Sequence, residues 1–152
     1  MGEQRSSGDH LGEDDAFDLQ RFVDAQASVI AAVRAELAEG RKRSHWMWFV
    51  FPQIAGLGSS PMAIRYAIAS RAEARAFLEH PVLGARLREL TGLVNQVSGR
   101  SAQAIFGSPD DLKFRSSMTL FDAVAPGGVF GEALQRYFGG VGDRLTLERL
   151  GD

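Results

Sequence analysis

Large apolar residues recur at helical spacing through most of this chain, and turn chemistry separates one run from the next. Leu19, Phe22, Val23, Val29, Ile30, Val33 and Leu37 form the first set, at the intervals that place side chains on one helix face. Asp18 stands as its N-cap and Gly40 as its stop, with a bend near Gln26 and a second start at Ser28. Ser60-Pro61 predicts a helix to about Ile68, because serine caps and proline fits the first helical position. Ser70 and Glu73 have capping-box spacing ahead of a helix to about Glu79. A longer helix from Pro81 carries Leu83, Leu87, Leu90, Leu93, Val94 and Val97 before Gly99 stops it. Ser101 caps a short turn ending at Phe106. Ser108-Pro109-Asp110-Asp111 then combines a cap, an N1 proline and two first-turn acids, and predicts a helix to about Val124. Phe130, Leu134, Tyr137 and Phe138 mark the next helix, closed by Gly139-Gly140, and Asp143 caps a last one ending near Leu150.

The run from Ser44 to Phe51, SHWMWFVF, fits a buried strand or a helix apolar on every side. No other segment alternates well enough to pair with a strand, so the run is read as a helix from Ser44 to Pro52. The pattern as a whole predicts an all-α orthogonal bundle of about six to eight short and medium helices with negligible strand.

Composition narrows the class. The 152 residues are 45% hydrophobic and 24% charged, which suits one globular domain. Residues 1–16 are acidic and polar, with Leu11 the sole large aliphatic after Met1. They read as a disordered tail ahead of a single all-α domain over 17–152. The first fifteen residues sum to −4, so a formal net charge of −2 leaves +2 on the remainder. That is a small surplus for a nucleic-acid binder, and nucleic acid is not expected as a partner. Absent cysteine excludes disulfides, thiol catalysis and cysteine-bound metals. No apolar run is long enough to span a membrane and no secretory pattern opens the chain, so a cytoplasmic location is expected.

Candidate chemistry is sparse. His10, His45 and His80 lack metal-ligand spacing, and no metal or cofactor is expected. The basic cluster Arg41, Lys42, Arg43 precedes His45, Trp46 and Trp48. Such a group stacks against and charge-pairs an anionic ring compound such as a nucleotide, or simply supplies core aromatics beside a surface histidine. The loop from Gly56 to Ser60 enters a helix as anion-binding loops do, but common turn chemistry has the same composition. Arg65 follows on that helix as a hydrogen-bond donor or a plain surface residue. Lys113, Ser116 and Ser117 gather at i, i+3 and i+4, as an anion site, a serine–lysine pair or a solvated face. Trp48 is read as core, with truncation to alanine expected to cost roughly 3–5 kcal/mol.

The segments GRKRSHWMWFVFPQ, GLGSSPMAIRYAI, HPVLGARLRELTGLVNQ and FGSPDDLKFRSSMTLF occur in this order. Together they resemble the domain-of-unknown-function 1810 family, from about Phe17 to the C-terminus. The resemblance implies a small, all-helical, largely bacterial protein and carries over no catalytic residue. Some members bear the label calpastatin, which nothing in this sequence supports. Two readings of function follow. In one, Lys42, His45, Trp46, Gln53, Arg65, Lys113, Ser116 and Ser117 contribute to a pocket for a small anionic ligand. In the other, the domain is a non-catalytic module that binds a protein or its own copy. Whether a reaction is catalysed stays open at this level.

Overall fold

The computed structural model describes residues 15–151. The expectation for the acidic tail concerns mostly residues 1–14, which lie outside them. Ten helices follow: α1 (Gln20–Ala27), α2 (Ile30–Ala38), α3 (Met47–Val50), α4 (Pro61–Arg65), α5 (Arg71–Glu79), α6 (Leu83–Gln96), α7 (Ala102–Phe106), α8 (Asp110–Val124), α9 (Val129–Phe138) and α10 (Arg144–Leu150). The fold is all-α. Its helix number among the described residues exceeds the expected six to eight because α3, α4 and α7 are pieces of four or five residues. The single β feature among the described residues is a parallel bridge between Ile54 and Ile68.

Local sequence explains most of the boundaries. Ser60, Ser70, Ser101 and Asp143 each accept a backbone N–H three residues on, from Ala63, Glu73, Ala104 and Thr146. Gly139 ends α9 in the left-handed conformation that glycine adopts without strain. Not every expected cap is in place. Asp18 has φ +54, and Asp15 instead accepts the N–H groups of Leu19 and Gln20. The acidic segment therefore contributes a cap at its last residues. Pro109, not Ser108, flanks α8, across a cis Ser108–Pro109 peptide. His80 Nδ1 accepts from Val82 and Leu83 at 3.1 and 3.2 Å, so the imidazole caps α6 in its neutral form. Burial lowers the His80 pKa, against an opposing pull from Asp15.

The two longest helices, α6 and α8, are bridged by α5 and α9, each of which packs on both. α2 adds to α6, and α7 and α10 add to α8. The core between them is aromatic. Phe114 on α8 meets Phe51 edge-on at 5.1 Å and stacks with Phe106 at 4.5 Å. Phe77 meets Phe121 at 5.4 Å and Phe22 at 5.1 Å. Buried polar groups fix the docking of neighbours. Gln26 donates to the Phe49 carbonyl and accepts from Arg86, tying α1 to α3 and α6. Arg21 donates to the carbonyls of Arg65 and Ala67 and pairs with the buried Glu73 at 2.9 Å.

The run from Ser44 to Phe51 has one helical turn, not the expected two. Glu36 of α2 explains the difference. Its buried carboxylate accepts from the N–H groups of Arg43 (2.8 Å) and Ser44 (3.1 Å), from Ser44 Oγ (2.6 Å) and from Trp46 Nε1 (2.9 Å). Those donors hold 43–46 in a turn wrapped around the carboxylate, and helix begins only at Met47. Ser44 caps nothing, because its hydroxyl is spent on Glu36.

Burial raises the Glu36 pKa, but the hydrogen bonds from Ser44, Arg43 and Trp46 outweigh it and bring the group from 4.5 to about 2. The carboxylate's contribution is therefore full above pH 4.5 and is lost as pH falls toward 2. It is of order 3 kcal/mol. Denaturant titrations across this range are expected to show that loss. Glu36→Gln, which sets amide donors against four donors, should be less stable at pH 7 by about 3 kcal/mol and show a shallower acid limb. An unchanged acid limb in the variant would exclude Glu36 as the source.

Gly84 and Gly92 of α6 give a second, paired test. A Cβ at Gly84 would lie 1.9 Å from the Leu78 carbonyl oxygen, whereas one at Gly92 meets nothing within 4 Å. Gly84→Ala is expected to cost more than about 2 kcal/mol, by forcing α5 and α6 apart. Gly92→Ala should be neutral or stabilise by about 0.5–1 kcal/mol. Thermal melts of the two variants check both.

Candidate functional site

A groove of about 520 Å³ opens between the first half of α8 and the loop leading into α4. One wall is Gln53, residues Leu57–Ser60 and Ala63; the other is Pro109, Leu112, Lys113 and Ser116, closed by Asp143 and Leu145. Helical periodicity determines which α8 residues face it. Phe114, Met118 and Phe121 are buried in the core. Leu112, Lys113 and Ser116 therefore fall on the side away from that core, although Ser116 is only 5% exposed. The loop wall is held by the Ile54–Ile68 bridge, with Ile68 N–H to Gln53 O and Ala55 N–H to Ile68 O both at 2.8 Å. The α10 end is clasped to α8 by Thr119 Oγ1, which accepts the Asp143 N–H at 2.8 Å.

Of the eight residues singled out from sequence, Gln53, Lys113 and Ser116 line this groove. Lys113 Nζ sits 3.5 Å from Asp110 and 5.2 Å from the centre of the Trp48 ring. Among the described residues the Gln53 amide has no side-chain partner, which leaves its donors and acceptor open to the groove. Ser116 Oγ donates to the Leu112 carbonyl at 3.1 Å. No hydrogen bond among the described residues joins either serine to Lys113, so the geometry supplies no serine–lysine nucleophile.

The other five lie elsewhere. Ser117 is fully buried and its Oγ has no hydrogen-bond partner among the described residues. It stands three residues after Phe114 and four before Phe121, hence on the core face, a spacing that the sequence already contained. Trp46 is also fully buried, its indole N–H held by Glu36, and it presents no face to a ligand. Lys42 has a side chain only 7% exposed, spent on Asp110 at 2.9 Å, on the Ser44 carbonyl and on the Trp46 ring. His45 is exposed and outside the groove. Arg65 is exposed and its Nε donates to Tyr66 Oη at 3.2 Å, which raises its pKa. Trp48 is half-buried, not core as expected, and Lys113 Nζ lies over one face of its ring. Its truncation removes less packing than the expected cost assumed.

Leu112 and Leu145 escaped notice in the sequence, and Asp143 was read there only as a helix cap. Leu112 and Leu145 are 54% and 58% exposed, and both break the rule that aliphatic residues on amphipathic helices turn inward. Among the described residues no helix is long and apolar enough to cross a membrane, and no three acidic or histidine side chains gather as metal ligands.

A small all-α protein with a polar-and-aliphatic groove is thus defined by the fold. The chain belongs to the family described as protein of unknown function (DUF1810), whose model matches residues 16–150. It is similar to the conserved hypothetical protein Rv1873 from Mycobacterium tuberculosis, a solved crystal structure. The two are 58% identical, with a TM-score of 0.86, over 91% of this chain and 99% of that one. No curated protein matches the chain.

Proposed function

We propose that the groove binds a small ligand bearing an anionic group, with Lys113, Gln53 and Ser116 as its polar contacts. The observation that carries this reading is that Gln53 and Lys113, sixty residues apart in sequence, line one concavity. Its size lies within the range of small-molecule sites. Asp110 is shared between Lys42 at 2.9 Å and Lys113 at 3.5 Å, so one carboxylate is set against two ammonium groups. Lys113 keeps attraction for an anion. Leu57, Leu112 and Leu145 supply apolar surface for the rest of the ligand.

The exposure of Leu112 and Leu145 also favours a second reading, in which the same surface docks a protein or a second copy. Sedimentation as a function of concentration separates the two. Self-association that Leu145→Ser abolishes would support the interaction surface.

A thermal-shift screen of carboxylates and phosphates tests the ligand reading, since a ligand of the native state raises the melting temperature. The expected outcome is a shift that Lys113→Ala weakens by at least roughly tenfold in affinity, the scale of one charge-assisted hydrogen bond. The unliganded variant should stay within about 1 kcal/mol of wild type, because its ion pair is part-exposed. A shift equal in wild type and variant would place the ligand elsewhere.

A further inference from the structure

The charges around the groove limit the kind of anion that it can hold. Among the described residues that line it, Lys113 is the single cation. Asp110 faces Lys113 at 3.5 Å and Lys42 at 2.9 Å, so this trio has an excess of a single positive charge. The flanking arginines are committed elsewhere. Arg115 donates to the Val141 carbonyl at 2.9 Å, Arg144 pairs with Glu148 at 2.9 Å and Arg149 donates to the Gly56 carbonyl at 3.3 Å. Asp143, whose carboxylate caps α10 through Thr146, also lines the groove and brings a negative charge to it. One negative charge on a ligand is therefore matched by Lys113. A second would find no further cation and would share the groove with Asp143.

The rest of the lining decides what the anion is attached to. Leu57, Leu112 and Leu145 line the groove, and the last two are 54% and 58% exposed. No aromatic side chain is among the described lining residues, so a flat base or ring has nothing to stack on. An alkyl chain laid against the leucines leaves water together with them. Each methylene buried in full strengthens binding by about fourfold. Gln53, its side-chain amide unpartnered among the described residues, can donate to a carboxylate oxygen without adding charge.

We propose that the groove takes an aliphatic monocarboxylate, with its carboxylate on Lys113 and its chain on Leu57, Leu112 and Leu145. This names the class of anion within the ligand reading above and rests on that reading. Phosphate esters and dicarboxylates are disfavoured by the second charge that they bring.

The test is calorimetric titration of the full chain at constant ionic strength, above the second phosphate pKa of about 6. The probes are butyrate, hexanoate, hexanamide, hexanedioate and butyl phosphate. Hexanoate is expected to bind at least about fourfold more tightly than butyrate, the sign of a chain resting on apolar surface. Hexanamide has the chain without the charge, and hexanedioate has the chain with one charge too many. Each should bind at least roughly tenfold more weakly than hexanoate, as should butyl phosphate. Lys113→Met should bring hexanoate down to the level of hexanamide. Leu145→Ser, a change at an exposed position, should narrow the gap between hexanoate and butyrate. Melting temperatures of both variants near wild type would show that the fold is kept. Failure of hexanoate to bind overturns the proposal. So does binding of hexanedioate or butyl phosphate as tight as that of hexanoate, or undiminished binding of hexanoate to Lys113→Met. If the thermal screen finds a Lys113-dependent phosphate while hexanoate does not bind, the monocarboxylate inference falls and the anion reading stands. If no anion binds, both fall.

Discussion

The arrangement of this molecule depends on one buried carboxylate. Glu36 is almost fully enclosed, and a charge so placed must collect donors or neutralise. It collects four, all from the stretch Arg43 to Trp46. That stretch is thereby wound onto α2, the Trp46 indole is drawn inside, and the chain is delivered into α3 with Phe49 and Phe51 facing the core. Lys42, just before the turn, is left pointing toward α8 and pairs with Asp110 in its first turn. A constraint that begins on α2 is passed, through one short segment, to the helix that carries the groove.

Asp110 links that structural chain to the groove. Because it accepts from Lys42 and Lys113 together, the same residue that docks the Trp46 segment also positions the groove's ammonium. Trp48 completes the placement from beneath, its ring 5.2 Å from Lys113 Nζ. The tryptophans, similar in sequence setting, divide the work: one is a core residue held by a carboxylate, and its neighbour is a platform under a cation.

Much of the fold was legible because helices announce themselves locally. Ser60, Ser70, Ser101 and Asp143 cap where their spacing predicts, and the Phe114, Met118, Phe121 face is core. What could not be read depends on partners distant in sequence. Ser44 stands at the start of the expected helix until Glu36 takes its hydroxyl, and Lys42 belongs to a basic cluster offered to a ligand until Asp110 takes its charge. The candidate site fared similarly. Gln53, Lys113 and Ser116 share a groove, whereas Ser117 is turned inward by a hundred-degree step per residue, which the α8 periodicity already implied. Asp143 was legible as a cap, but not as a groove charge, because that role needs the clasp to Thr119.

The bridge between Ile54 and Ile68 pins both ends of the segment 55–67, which forms one wall of the groove. Both isoleucines are buried, so the pins belong to the core while the segment between them lies mainly outside it. Lengthening a closed loop costs little chain entropy, about 0.6 kcal/mol per doubling. The opposite wall is α8, whose inner face is the aromatic core itself. The groove therefore joins a loop wall that can change in length to a helix wall whose backbone cannot shift without repacking the aromatic core, although its outward side chains can be exchanged.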